Sequence, residues 1–210
     1  MLAEVIGKHQ SKNGKHSKIK GISLPEVFFS GEQGKGSSGR FNYSCTQEQV
    51  RGILGQVDDY TELQNIFTGV YYYLLNNISK QEQIQIQCKF SDSEYYSLDI
   101  DLENNHLLDS IVNKVKEAKE EAVKNCYDLS EISRAFMENM DENQVIPLLK
   151  FGNKSSKEEA VLFDYEICIK ILQDEISFDL IQFNERLNGQ YMENMLNSYI
   201  NIILKLFGQL

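Results

Sequence analysis

No run of about 18 apolar residues occurs anywhere in the 210-residue chain, which excludes a membrane-spanning helix. The N-terminus has no apolar stretch followed by small residues, so a secretory signal is not expected. Cys45, Cys88, Cys126 and Cys168 are scattered, with no C-x-x-C pair, and two of them fall on or beside apolar strand positions. Buried, reduced thiols in a cytoplasmic protein are expected, rather than zinc ligands or disulfides. The glycine-rich GEQGKGSSGR (residues 31–40) lacks the Lys-Ser/Thr that ends a phosphate-cradling loop, Ser37 and Ser38 standing after Gly36. There is no G-x-S-x-G nucleophile elbow.

Histidine is scarce. His9 and His16 lie in a basic N-terminal segment and His106 opens a helical stretch beside Asp109. A catalytic base needs a positioned partner and a pocket, and none of the three has that setting in the sequence. Asp99, Asp101 and Glu103 share one face of a strand, but without a glycine turn or carbonyl ligands they read as a solvated face, not a calcium site. No catalytic, cofactor-binding or metal-ligating residue is assigned, and no cofactor is expected.

Charge is uneven. Residues 1–20 carry five Lys against Glu4, and residues 21–210 carry a net charge of −14. An acidic body makes a poor nucleic-acid binder, because phosphate contacts need clustered Lys and Arg. Residues 1–20 have little to bury and are expected to form a flexible basic arm, with residues 21–210 as one folded domain. The overall 41% hydrophobic and 25% charged content is that of an ordinary globular chain.

The organising stretch runs from Asp59 to Leu102. Tyr60, Leu63, Phe67, Val70, Tyr71, Leu74 and Ile78 recur at helical spacing, and Ile66, Tyr72, Tyr73 and Leu75 widen the stripe enough to predict a central helix. Thr68 and Gly69 leave a narrow spot for a close neighbour. Ile84, Ile86, Cys88 and Phe90 alternate with Gln83, Gln85, Gln87 and Lys89. Tyr96, Leu98, Ile100 and Leu102 alternate in the same way, so an antiparallel hairpin laid on the helix is predicted. The glutamine face is expected to be half-exposed and wet.

Taken in order, SLPEVFF reads as extended, with Pro25 biasing Ser23 and Leu24 away from helix. A short helix is predicted from Thr46, its cap, to Val57. A helix from about residue 105 to 125 carries Leu108, Ile111, Val115, Ala118 and Ala122, with Lys116/Glu120 and Glu120/Lys124 as outer charge pairs. Another starts at Asp128 with Glu131 in a capping box. QVIPLLKF reads as a strand whose Pro147 marks an edge or bulge. VLFDYEICIKI (161–171) and ISFDLIQF (176–183) read as antiparallel partners around LQDE. A closing helix over 189–207 turns Met192, Met195, Tyr199, Ile202, Ile203 and Leu206 inward. The fold class is α/β: a mixed, mainly antiparallel sheet with packed helices.

In this order the segments resemble the C-terminal half of a nonribosomal peptide synthetase condensation domain, of the chloramphenicol-acetyltransferase-like superfamily. ISLPEVFF, LQNIFTGVYYYLLNNISKQEQIQIQCKF, IPLLKF and LFDYEICIKILQDEISFDLIQF with its closing helix carry the resemblance, which spans Ile22 to Phe207. KNCYDLSEI stands where the family has H-Q-D-Y-P-F-E, matched loosely by Asn125, Cys126, Tyr127 and Asp128. The family's G-x-F-V-N-T sequence is replaced by SDSEYYSLDIDL. Its catalytic H-H-x-x-x-D-G lies in the other half, and no His-His pair occurs here.

The resemblance implies one lobe of such a fold, catalytically incomplete by itself, docking a neighbouring synthetase module or a phosphopantetheinyl carrier protein, or pairing with a second copy. It implies neither nucleic acid nor membrane as partner. An alternative it also implies is one half of a split condensation enzyme, whose other lobe supplies the H-H-x-x-x-D-G motif.

Overall fold

The computed structural model describes residues 20–29, 39–90, 94–102, 107–122, 144–152 and 159–210. His9, His16, His106, Glu103, Cys126, the basic arm before Lys20 and the helix expected from Asp128 lie outside them.

A six-stranded sheet has the order β2-β8-β7-β6-β3-β4: β2 Arg40–Ser44, β8 Ile176–Gln182, β7 Tyr165–Ile171, β6 Pro147–Phe151, β3 Gln83–Lys89 and β4 Tyr96–Asp101. Its β2–β8, β8–β7 and β3–β4 pairs are antiparallel, while β6 is parallel to both β7 and β3. A second ribbon pairs β1 (Ile22–Ser23) with β5 (Gln144–Val145). Five helices accompany the strands among the described residues: α1 Gln47–Leu54, α2 Tyr60–Ser79, α3 Leu108–Ala122, α4 Glu159–Leu162 and α5 Gly189–Leu206. The mixed, mainly antiparallel α/β class read from the sequence is borne out.

The helix α2 is central because it is apolar nearly all round, and its buried set runs from Leu63 to Leu75. Asp59 caps its first turn, and Lys80 closes it in a left-handed conformation (φ 58°). Ile84, Ile86, Leu98 and Ile100 face it, and the Tyr72 hydroxyl donates to the Leu98 carbonyl at 2.6 Å. Helix α5 packs on the same face of the sheet: Tyr199 meets Phe178 and Tyr71 edge-on, and its hydroxyl donates to the Phe67 carbonyl at 2.8 Å. Asn188 caps it. Thr46 caps α1 in a full capping box with Gln49. The predicted antiparallel hairpin is present, with Ile84 opposite Ile100 and Ile86 opposite Leu98.

Several expectations are corrected. FNYSC is not merely a lead-in to a helix, since Arg40–Ser44 is the edge strand β2. Pro147 is not on an edge strand; it is the first residue of the interior strand β6, where its missing N–H costs no ladder bond. The strand expected from Val161 begins at Tyr165, because Glu159–Leu162 turns into α4 and leaves Val161 exposed. Leu206 does not face inward but is 44% exposed at the end of α5. Lys116 pairs with Glu62 of α2 at 2.9 Å, not with Glu120.

The largest correction concerns the glutamine face. Gln85 and Gln87 are only 6% and 1% exposed. The segment leading into β1 crosses this face: the Lys20 amide donates to Gln85 Oε1 at 2.5 Å and the Ser23 amide to Gln81 Oε1 at 3.0 Å. Glutamine there satisfies backbone donors of a strand that approaches from far along the chain.

Candidate functional site

Lys150 interrupts the otherwise apolar strand PLLKF and is 4% exposed. A buried ammonium requires a partner, because desolvating an unpaired charge is prohibitive. The partner is Glu159, which opens α4 and is itself fully buried. Lys150 Nζ donates to Glu159 Oε2 at 3.0 Å and Oε1 at 3.3 Å. Oε1 also accepts from Lys89 Nζ at 3.1 Å and from the Tyr95 hydroxyl at 2.6 Å. Lys89 lies 4.6 Å from the centroid of the Tyr95 ring, a cation–π contact that adds to the same cluster.

Strand register brings these groups together. Lys89 of β3 lies opposite Lys150 of β6, and Lys150 lies opposite Cys168 of β7, so all three point from the polar face of the sheet. Glu166, buried two positions earlier on β7, shares that face. Burial first, and then the Glu166 carboxylate, push the Cys168 thiol up to about 12. Tyr95 and Phe163, 6.2 Å apart and stacked, close the cluster over Ile146 and Leu148.

The chemistry available here is limited. Burial pushes the Cys45 thiol up to about 11 and holds Cys88 higher still, so none of the three described thiols is a thiolate near neutrality. None of the three is in a disulfide among the described residues. Glu159 is held by Lys150, Lys89 and Tyr95, an arrangement that fixes α4 on the sheet. Tyr71, Tyr72, Tyr165 and Tyr199 are fully buried in the core, but they bond each other or backbone: Tyr71 to Tyr165, Tyr72 to Leu98, Tyr199 to Phe67.

On the opposite side of the molecule, α2, α3 and the end of α5 diverge around an open cleft of about 370 Å³. Val57, Ile66, Val112 and Phe207 form its apolar floor, and the Glu62–Lys116 ion pair stands on its rim. It contains no cysteine or histidine among its lining residues. An apolar floor with a charged rim is a make-up that suits binding.

Of the carboxylates noted in the sequence, Asp99 and Asp101 are among the described residues. Asp99 and Asp101 are exposed on β4; Asp99 accepts from Gln83 Nε2 at 3.3 Å, and partial burial raises its carboxyl. The Asp101 carbonyl accepts from Lys114 of α3. Among the described residues no group of three His, Cys, Asp or Glu side chains converges as metal ligands would. Sequence reading missed Lys89, Tyr95, Lys150 and Glu159. The one available signal was Lys150, a lone charge inside a run otherwise fit for a buried strand.

No family model matches the sequence, and no curated protein matches it. Solved structures do. The X-domain in complex with OxyB from teicoplanin biosynthesis superposes with a TM-score of 0.68 at 10% identity, over 92% of this chain and 50% of that one. The epimerization domain from the third module of tyrocidine synthetase B gives 0.61 at 10% identity, over 91% and 53%. The EpoB NRPS cyclization-docking bidomain from Sorangium cellulosum gives 0.62 at 9% identity, over 81% and 42%. The chain has the fold of these condensation-type domains and spans about half the length of the solved chains it matches. The resemblance read from the sequence is borne out at the level of fold.

Proposed function

We propose that this chain is a condensation-like lobe working in nonribosomal peptide, or hybrid polyketide, biosynthesis. It docks a neighbouring module or a phosphopantetheinyl carrier protein and does not itself form the peptide bond. The observation that carries this reading is the fold match over most of the chain to domains of peptide synthetases, in a sequence without H-H-x-x-x-D-G. Raised thiols support the non-catalytic part of the reading. The place of work is the cytoplasm, where carrier-bound intermediates are made, and Cys45, Cys88 and Cys168 as free thiols accord with it.

The test uses the purified 210-residue chain. Titration calorimetry against carrier and module proteins encoded beside it should give a saturable binding isotherm with at least one of them. Incubation with a carrier-bound acyl donor and an amine acceptor should give no product. Product formed by the chain alone would overturn the non-catalytic reading, and absence of binding to every neighbouring module and carrier would overturn the docking role. Product formed only on adding a separate lobe with the H-H-x-x-x-D-G motif would replace this reading with that of a split enzyme.

A further inference from the structure

The six-stranded sheet ends in two edges that are built differently. At β4 the outward-facing backbone is defended. Asp99 and Asp101 alternate along it, and Lys114 of α3 caps the Asp101 carbonyl. Charges and caps of this kind block strand addition. At β2 the sequence is RFNYS, with no proline, and its one charge, Arg40, is drawn to Asp179 at 3.0 Å.

The hydrogen-bond phase of β2 follows from its ends. The Cys45 amide donates to the Ile176 carbonyl, and the Gln182 amide to the Gly39 carbonyl, so the odd-numbered residues face β8. The N–H and C=O groups of Arg40, Asn42 and Ser44 therefore point away from the sheet. Among the described residues they have no backbone partner, and all three residues are exposed.

The geometry points to a second copy of this chain as the occupant of that edge, pairing β2 with β2 antiparallel about a two-fold axis at Asn42. This register faces Asn42 with Asn42 of the partner subunit, and Arg40 with Ser44 of the partner subunit. Each of these is a pair whose backbone groups already point outward, so every facing pair exchanges two hydrogen bonds. No like charges meet, since Arg40 stands opposite a serine. On the helix-bearing face, half-buried Phe41 comes opposite Tyr43 of the partner subunit, the aromatic pairing that favours strand association. A register that is complementary to itself in hydrogen bonds, charge and side-chain size favours a symmetric dimer over an unrelated peptide. This inference is independent of the proposed docking role.

Sedimentation across a range from micromolar to submillimolar should show the mass rising from 24.2 kDa towards twice that value. Asn42→Pro removes an N–H that faces solvent in the single chain, so the fold should persist while the dimer weakens at least about tenfold. Asn42→Lys sets like charges across the axis and should do the same without touching the backbone, which covers the case in which the proline variant does not fold. Under oxidation Asn42→Cys should cross-link to a dimer, because facing Cα atoms are about 5.5 Å apart and within disulfide reach. Ser44→Cys, facing Arg40 of the partner subunit, should cross-link no faster than the wild type. A single-chain mass at every concentration, a dimer indifferent to Asn42→Lys, or equal cross-linking by both cysteine variants would overturn the proposal.

Discussion

Gly69 and Val112 hold α2 and α3 closer than any side chain at position 69 would allow. A Cβ at Gly69 would stand 2.6 Å from Val112 Cγ2 and 3.3 Å from Val112 Cα. The methyl group can rotate away, but the Cα cannot move without shifting the whole of α3.

Gly69→Ala is therefore expected to destabilise the protein. Alanine gains about 1 kcal/mol of helix propensity, against roughly 1–3 kcal/mol for overpacking a well-filled contact. The net loss should be about 1 kcal/mol in urea unfolding, and Val112→Ala in the same chain should recover part of it. A stability equal to or above that of the wild type would show that α3 gives way freely.

Gly52 offers a contrast within the same fold. A Cβ there would overlap the amide end of the Gln209 side chain. That amide can swing aside, so helix propensity should dominate. Gly52→Ala is expected to leave stability unchanged or raise it by up to about 1 kcal/mol. A clear drop in the unfolding midpoint would mean that the tail, tied by Gln56 to the Phe207 carbonyl at 2.9 Å, is a rigid part of the core.

How much of this was legible in the sequence depends on range. The helix α2 with its close approach at Gly69, the β3–β4 hairpin and the Thr46 cap were readable, because their signals lie within a few residues. Alternation in β3 correctly divided apolar from polar positions, but it could not say whether the polar side meets water. That is decided by Lys20 and Ser23, which reach Gln85 and Gln81 from some 60 positions away. The Lys89–Glu159 bridge joins residues of equally distant segments, and no local pattern encodes such a meeting. The strand β2 was unread because five residues with only two aromatics give too short a period.

Glu159→Gln should be among the most damaging single substitutions in the chain. It removes the carboxylate charge shared by two lysines whose side chains are only 5% and 11% exposed. Breaking a buried pair from one side typically costs about 3–5 kcal/mol, since the remaining ammonium groups keep their desolvation penalty. Chemical denaturation should show this loss, and Glu159→Asp should recover some of it. A change under about 1 kcal/mol would mean that water reaches Lys89 and Lys150 more easily than their burial indicates.

Alkaline pH should weaken the fold before neutral or mildly acid pH does. Burial pushes the Cys168 thiol up to about 12, from an ordinary value of 9.0, and Cys88 moves in the same direction. The unfolded chain releases these protons first as pH rises past about 9, so it binds fewer protons than the folded chain and stability falls. Each fully buried thiol contributes up to about 1.4 kcal/mol per pH unit in that window. Unfolding midpoints should thus be level below pH 9 and decline above it, with Cys88→Ala flattening the decline. A profile that stays level well into the alkaline range would refute burial as the cause.

The Tyr71–Tyr165 pair allows a sharper test of what a buried hydroxyl contributes. The two hydroxyls are 2.8 Å apart, and both residues are 0% exposed, so each is the other's partner in a place water does not reach. Removing one leaves its mate desolvated and unbonded, which costs about 1–3 kcal/mol, whereas removing both eliminates the need for either. Tyr71→Phe and Tyr165→Phe should each destabilise by more than half of what additivity assigns from the double variant, and the double variant should be close to the wild type. The coupling energy from the four-membered cycle is expected to be of order 1 kcal/mol or larger. Single substitutions that simply add would mean that each hydroxyl acts alone, and the pair would then be a coincidence of packing instead of a bond the core depends on.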